Sequence, residues 1–392
     1  MPRATFNVPD RSSTSGEHIK RPPRLTAAER RAPFSTRRKR LVAGCMTGTS
    51  IDGLDVALVS IDGDGMTMRA ELVAETSRPF GDLAAPLRRL AEQQPMTAHD
   101  IADVARQLAL LHLDALTELK RGRTIDLVCV HGQTVFHAPP LGWQLMNPSP
   151  IAHGLGIPLV FDLRAADLAL GGQGAPLTPI ADLILFGHGR ERRTVVNLGG
   201  FCNLTRLPAG REPARVTGGD VCACNQVLDA VARTRLSVPY DRDGNAAWQG
   251  SEERRSTDAL LRILRAQNKL GRSLGTGDEA GEWQEQLAAC PPADIARSAC
   301  AAIATVIVEA AQPTERLIVA GGGTHNRALM HEIKGRAGVP VDRSEDHGVP
   351  ATLREAMAFA VLGALCQDRI PVTLSQVTGV DRAPISGCWV LP

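Results

Sequence analysis

The chain has 392 residues, 43% of them hydrophobic and 22% charged, which suits a soluble enzyme large enough for two domains. Aromatic residues make up only 3%, with the single tyrosine Tyr240, so little is available to build a stacking surface for bases, and no nucleic-acid partner is expected. The net charge is +2 and no apolar run is long enough to span a bilayer, which excludes a strongly basic body and a membrane partner.

Residues 1–40 hold the basic excess, with 11 Lys/Arg against 3 Asp/Glu, while the remainder has 33 against 39. This leader is rich in Arg, Ser and Pro and lacks the hydrophobic stretch of a secretory signal. It reads as a disordered tail or as sequence ahead of the true start, with a nucleic-acid-binding arm as the alternative. RLVAGCMTGTSIDGLDVALVSID then reads as strand, tight polar turn, strand, because apolar residues alternate on both sides of GTSIDG (48–53). A further strand falls within MTMRAELVAE. From Ala98 to Lys120 the residues Ile101, Val104, Leu108, Leu111 and Ala115 recur at helical spacing and predict an amphipathic helix. DLVCV (126–130) is a short buried strand ending at HGQT, and IPLVFD (157–162) is another.

A second run begins at Arg193. TVVNLGG is a strand entering a glycine turn, FCNLTRL returns from it, ARVTGGD offers a third strand, and a helix is expected from about Asn225 to Leu236. ERLIVAGGGTHNRALMHEI reads as strand, glycine turn, helix. Both runs thus open with a hairpin whose tip is small and polar, which predicts an α/β fold of two duplicated domains with a cleft between them. The nine cysteines include no CxxC. Cys222 and Cys224 have no second ligand pair for zinc nearby, so reduced, buried thiols of a cytoplasmic protein are expected.

Nucleotide binding needs backbone N–H groups aimed at phosphate oxygens. The chain has no GxxxxGK[ST], which excludes a P-loop. It has instead short glycine turns after strands. Gly48, Thr49, Ser50, Asp52 and Gly53 form the first, Gly199, Gly200 and Asn203 lie in the second, and Gly321, Gly322, Gly323 and Asn326 form the third, at a helix start. Any one of these alone is an ordinary turn; three in a duplicated frame point to ATP. Asp52 or Asp55 can steer a magnesium ion through water or simply cap the turn, and Asp52 is the favoured carboxylate for Mg²⁺.

The motifs MTGTSIDGLDVAL (46–58), HGQTVFH (131–137), QLMNPSPIAHGLGIPLVFDLRAADLALGGQGAPLTP (144–179), VVNLGGFCNLTRL (195–207), YDRDG (240–244), GGGTHN (321–326) and REAMAFAVLGAL (354–365) fall in order over roughly residues 41–392. Together they resemble the anhydro-N-acetylmuramic acid kinase family. The resemblance implies two actin-like (ribonuclease H-like) domains closing over ATP and a sugar, with a leader at 1–40, a first domain at 41–170 plus about 377–392, and a second at 171–376. It further implies a cytoplasmic homodimer that opens an anhydro-muramic acid with water and phosphorylates it. Asp220 matches the family's catalytic base. His131, Gln133, Thr134, Asp162, Arg164, Gln173, Gly174 and Glu355 match its sugar site.

Three departures stand out. Where the family has Gly-Pro-Gly, this chain has Cys222-Ala223-Cys224; Arg272-Ser273-Leu274-Gly275 keeps only part of a second pattern; and Thr47 replaces a serine. The first departure leaves open a diverged relative acting on another amino or anhydro sugar. It also leaves open a nucleotide- or sugar-binding protein without turnover.

Overall fold

A computed structural model describes residues 39–48, 50–270, 274, 278, 280, 283 and 290–392. The leader lies outside the described residues, apart from Lys39 and Arg40. β1 (Lys39–Thr47) and β2 (Gly53–Asp62) form the expected antiparallel hairpin, with Thr47 opposite Leu54. Its tip closes through the Ile51 N–H, which donates to the Gly48 carbonyl at 3.2 Å. β3 (Arg69–Pro79) joins β2 and alternates exposed with half-buried residues, as an edge strand does.

α1 (Ala84–Ala91) and α2 (Ala98–Lys120) follow. α2 starts at a capping box: the Asp100 N–H donates to the Thr97 hydroxyl oxygen, and the Asp100 carboxylate accepts from the Thr97 N–H. Of its predicted stripe, Val104, Leu108 and Ala115 are buried, and Ile101 and Leu111 are half-buried against the same core. After β4 (Leu127–Val130) the chain enters a small separate hairpin of β5 (Gln133–Ala138) and β6 (Leu141–Leu145), which the mixed polar pattern of HGQTVFH did not announce. α3 (Ser149–Leu155), β7 (Leu159–Phe161), α4 (Ala165–Ala169) and α5 (Thr178–Phe186) complete this half.

The second half runs β8 (Arg193–Leu198), β9 (Phe201–Leu207), β10 (Thr217–Ala223) and α6 (Asn225–Val231), the last continuing as a wider π-type turn over Ala232–Leu236. Then come α7 (Asn245–Gln249), α8 (Arg254–Asn268), α9 (Pro292–Ala311), β11 (Arg316–Ala320) and α10 (Arg327–Ala337). β12 (Val341–Arg343), α11 (Arg354–Gln367), α12 (Ser375–Thr378) and β13 (Cys388–Val390) end the chain.

The strand order is β13-β7-β4-β1-β2-β3 in one sheet and β10-β9-β8-β11-β12 in the other. In each, three antiparallel strands from the opening hairpin adjoin two parallel strands on the far side of the first strand. The duplication is therefore one of topology, and it is the actin-like (ribonuclease H-like) arrangement. Helices α2 and α3 cover one face of the first sheet, and α6, α8 and α9 cover one face of the second. Between the sheets a third core forms, in which α5 and α11 pack against Val42, Ala57 and Leu127 on one side and Val195, Leu207 and Ile318 on the other. α11 falls in the 171–376 span expected for the second domain, yet it lies directly on β1, β2 and β4.

Between Arg354 and Glu355 at its start and Gln367 at its end, α11 is apolar all round and almost wholly buried, as a helix enclosed on every side must be. Its contact with β1 needs Gly44. An added Cβ there would collide with the carbonyl oxygen of Ala356 and the nitrogen of Ala360, both backbone atoms that cannot rotate away. Gly44→Ala is expected to destabilise the protein by about 3 kcal/mol, the upper range for overpacking, read as a lowered Tm in thermal unfolding. An unchanged Tm would mean that α11 does not rest on β1 so closely.

Candidate active site

In the second sheet, polar residues form one row across three strands. Asn197 on β8 pairs with Asn203 on β9, and Asn203 pairs with Asp220 on β10. Asn197 also pairs with Ala320, the last residue of β11. Asp220 is thus level with the strand ends from which Gly199-Gly200 and Gly321–Gly323 depart, the edge where open α/β sheets bind ligands. A bulge follows Asp220 directly, and the strand passes there from half-buried to fully buried residues. The Asp220 carboxylate accepts the Leu274 N–H at 2.7 Å. Its pKa is raised above the ordinary carboxylate value, chiefly by burial; the Leu274 N–H opposes the rise and the Asp278 charge adds to it.

The glycine turns around it are held by backbone bonds. The Gly199 carbonyl accepts from the Asn225 N–H at 3.0 Å, and the Gly200 carbonyl from Cys224 and Gln226 at 2.9 and 3.2 Å. Gly321 has φ 87°, and a Cβ on it would lie 2.6 Å from Asn197 Oδ1, so strand packing alone demands glycine there. Gly322 is exposed, with nothing within 4 Å of where its Cβ would be, and is the member of the triplet that opens to solvent. Asn326 is occupied as the cap of α10, accepting the Leu329 N–H at 3.0 Å.

The altered turn is taken up by the core. Cys222 and Cys224 are 0% exposed and join the core beneath the sheet, with the thiol of Cys222 pushed up to about 12 by burial. No residue from Val221 to Cys224 has a positive φ, so the backbone here does not require glycine. Both thiols are buried within that core. Leu274 is described; Arg272, Ser273 and Gly275 lie outside the described residues.

In the first sheet, the hairpin tip is tied to the loop after β4. The Thr47 hydroxyl donates to the Gly132 carbonyl at 2.8 Å, and Gln133 Nε2 donates to the Gly48 carbonyl at 3.1 Å. Gln133 is fully buried, Thr134 half-buried and Ser50 exposed, while Thr49 lies outside the described residues. His131 is buried edge-on against Phe359, and its Nε2 accepts from Arg164 Nη2 at 3.0 Å. Burial first, then the Arg164 charge, pushes the imidazole down to about 3, so it stays neutral with its proton on Nδ1.

Arg164 also donates through Nη1 to the Gly174 carbonyl at 2.9 Å, which commits it to joining two loops. The Gly174 N–H donates to Asp167 at 2.8 Å, Asp167 accepts from the Thr378 hydroxyl at 2.8 Å, and the Gln173 N–H donates to the Thr378 carbonyl at 2.8 Å. This leaves the Gln173 side chain exposed on a fixed loop. Asp162 (φ 52°) accepts the Ala165 N–H at 3.3 Å, starting α4. Glu355, in the first turn of α11, is within electrostatic reach of Arg164. Its carboxyl is raised by burial, an effect opposed by Arg354 and Arg164 and reinforced by Asp182 and Asp55.

Asp52 is exposed at the hairpin tip, and the neighbouring Asp55 accepts the Ser77 hydroxyl at 2.6 Å. Among the described residues no three His, Cys, Asp or Glu side chains converge to hold a metal directly. The donor set therefore fits magnesium only if water and phosphate oxygens fill most of its shell. Sequence reasoning missed Thr378 and the buried pair of Arg354 and Asp182, whose partners are far apart in the chain and carry no local signal. Among the described residues no helix is long and apolar enough to cross a membrane.

The sequence profile described as anhydro-N-acetylmuramic acid kinase matches residues 40–391. The anhydro-N-acetylmuramic acid kinase of Salinibacter ruber (strain DSM 13855 / M31) is 35% identical, covering 90% of this chain and 97% of that protein. The enzyme of the same name from Cupriavidus pinatubonensis (strain JMP 134 / LMG 1197) is 36% identical over 88% of this chain and 96% of its own length. Solved structures overlay loosely. Component A of (R)-2-hydroxyglutaryl-CoA dehydratase from Acidaminococcus fermentans gives a TM-score of 0.46 at 13% identity, covering 84% of this chain and 99% of that one, too distant to bear on the site.

The raised pKa of Asp220 has a consequence for stability. A carboxyl whose folded pKa exceeds its unfolded value stabilises the fold below the unfolded pKa, and this contribution is lost as pH rises through the folded pKa. At neutral pH the ionised group is therefore a cost. Asp220→Asn is expected to raise the Tm at pH 7–8 and to lose that advantage in acid; a Tm equal to or below wild type at neutral pH would contradict the burial argument.

Proposed function

The chain belongs to the anhydro-N-acetylmuramic acid kinase family, and on that premise we propose that it uses ATP and water to open 1,6-anhydro-N-acetylmuramic acid and place a phosphate on O6, a step of peptidoglycan recycling. A water oxygen bonds to C1 as the bond from C1 to the bridging oxygen breaks. That oxygen takes the γ-phosphoryl group and needs no acid, because phosphorus captures it. One base is enough, and Asp220 accepts the proton from the water.

The observation that carries this reading is the position of Asp220. It is half-buried, raised in pKa, placed just before a bulge and level with both glycine turns of the second sheet. A base with a raised pKa removes a proton more strongly once ionised. The loops around Gly199, Gly200 and Gly322 offer backbone N–H groups to phosphate, with the hairpin tip at Gly48 and Ser50 facing them from the other domain in this reading. Thr134, Gln173 and Glu355 meet the sugar in this reading, and Asp162 and Arg164, with the buried His131, Gln133 and Gly174, hold the loops that present them. Magnesium, when bound, neutralises charge on the phosphates, and Asp52 would hold it through water. A cytoplasmic homodimer belongs to the same reading. No observation favours a different sugar, and the cysteines that replace the family glycines are buried in the core with no positive φ from Val221 to Cys224.

Incubation with ATP, Mg²⁺ and anhydro-N-acetylmuramic acid is expected to yield ADP and the 6-phosphate of the opened sugar. Asp220→Asn is expected to lower kcat by about 10²–10⁴-fold while ATP binding persists. kcat/KM should fall as pH drops through the raised Asp220 pKa, because the base must be ionised, and His131 should contribute no limb near neutrality. ADP release only with some other sugar, or full activity in the variant, would overturn the assignment.

A further inference from the structure

We propose that Arg354 is a positioning residue that sets Glu355 against the sugar by fastening the start of α11 to α5 and, through α5, to the strand beside Asp220. This rests on the function proposed above and adds a residue to it.

The geometry is a three-part tie in the core between the sheets. Arg354 is 1% exposed and Asp182, on α5, is 0% exposed. Arg354 Nε donates to Asp182 Oδ1 at 3.0 Å, and Nη2 donates to Oδ2 in a close ion pair. The Thr205 hydroxyl, on β9, donates to the same Oδ2 at 2.7 Å. Thr205 pairs with Gly218 on β10, two residues before Asp220. One carboxylate therefore joins the helix that presents Glu355 to the sheet that presents the base.

A hydrophobic contact would join these elements more cheaply, because taking two charges out of water is costly even when they pair well. What a bidentate guanidinium adds is direction: two fixed hydrogen bonds define both the rotation of α11 about its axis and its height along α5. Glu355 follows Arg354 immediately, so its carboxylate inherits that orientation. Arg354 Nη1 remains buried and without a partner among the described residues. It keeps an uncompensated donor in the core beside Glu355, where the arginine charge opposes the effect of burial and favours the ionised carboxylate.

The test uses the full-length enzyme and steady-state kinetics with anhydro-N-acetylmuramic acid and ATP varied separately. Arg354→Gln combined with Asp182→Asn removes both charges and leaves neither unpaired. Its folding is checked by cooperative thermal unfolding. The sugar KM is expected to rise at least about tenfold, while ATP affinity measured without sugar stays within about twofold. Arg354→Lys, which keeps the charge and loses the fork, is expected to fall between. A folded double variant with an unchanged sugar KM overturns the proposal, as does an equal rise for sugar and ATP, which is what a merely structural role gives. Should the double variant not fold, Thr205→Val is measured instead. It removes one hydrogen bond and no charge, and about a threefold rise in sugar KM is expected, no rise being the overturning result. Wild-type protein that does not turn over the sugar overturns the proposed function, and this role with it; wild-type turnover with no change in the variants overturns this role alone.

Discussion

Everything in this molecule depends on how closely α11 can lie on β1. The helix occupies the space between two sheets, and it fits because small residues meet at the contact. Gly44 has no side chain where Ala356 and Ala360 pass, and Gly363 faces Cys129 in the same way. Close packing at near-crystalline density leaves no room for a methyl group there. With the helix seated, Phe359 supports His131, Glu355 reaches the neighbourhood of Arg164, and Arg354 reaches Asp182. The same contact that builds the core therefore places the residues proposed to face the sugar.

The candidate site shows a division between polar groups left exposed and residues that hold others in place. Arg164, Asp167 and Thr378 spend their hydrogen bonds on His131 and the backbone of the GGQGAP loop, and Asn326 spends its side chain on a helix cap. Gln173 and Gly322 are left exposed on backbones that cannot wander far. Two carboxyls, Asp220 and Glu355, are kept partly out of water and raised in pKa. Such groups cost stability at neutral pH, which fits residues retained for chemistry rather than for folding.

At 221–224 the residues that depart from the family motif are buried. Family glycines suggest that a backbone must approach a ligand closely, so their replacement by cysteines reads as a threat to activity. In the fold both thiols are absorbed by the core under α9, and the end of the turn is pinned to Gly199 and Gly200 by short backbone bonds. Cysteine is small and apolar enough to be accepted there.

The order of the main strands, the capped helix from Ala98 to Lys120 and the two polar-tipped hairpins were legible in the chain itself, because alternation and helical spacing are local properties of consecutive residues. So were the positions of Asp220, the three glycine turns and the family motifs. The hairpin of β5 and β6 was not, since its alternation is masked by the polar Gln133, Thr134 and His137. Nor was the seating of α11 across the sequence from β1, or the meeting of Arg354 with Asp182 and of Asp167 with Thr378, 172 and 211 positions apart. Pairings of that separation are decided only when the sheets close on the central helices, because nothing in a local pattern records which distant group will neutralise a buried charge.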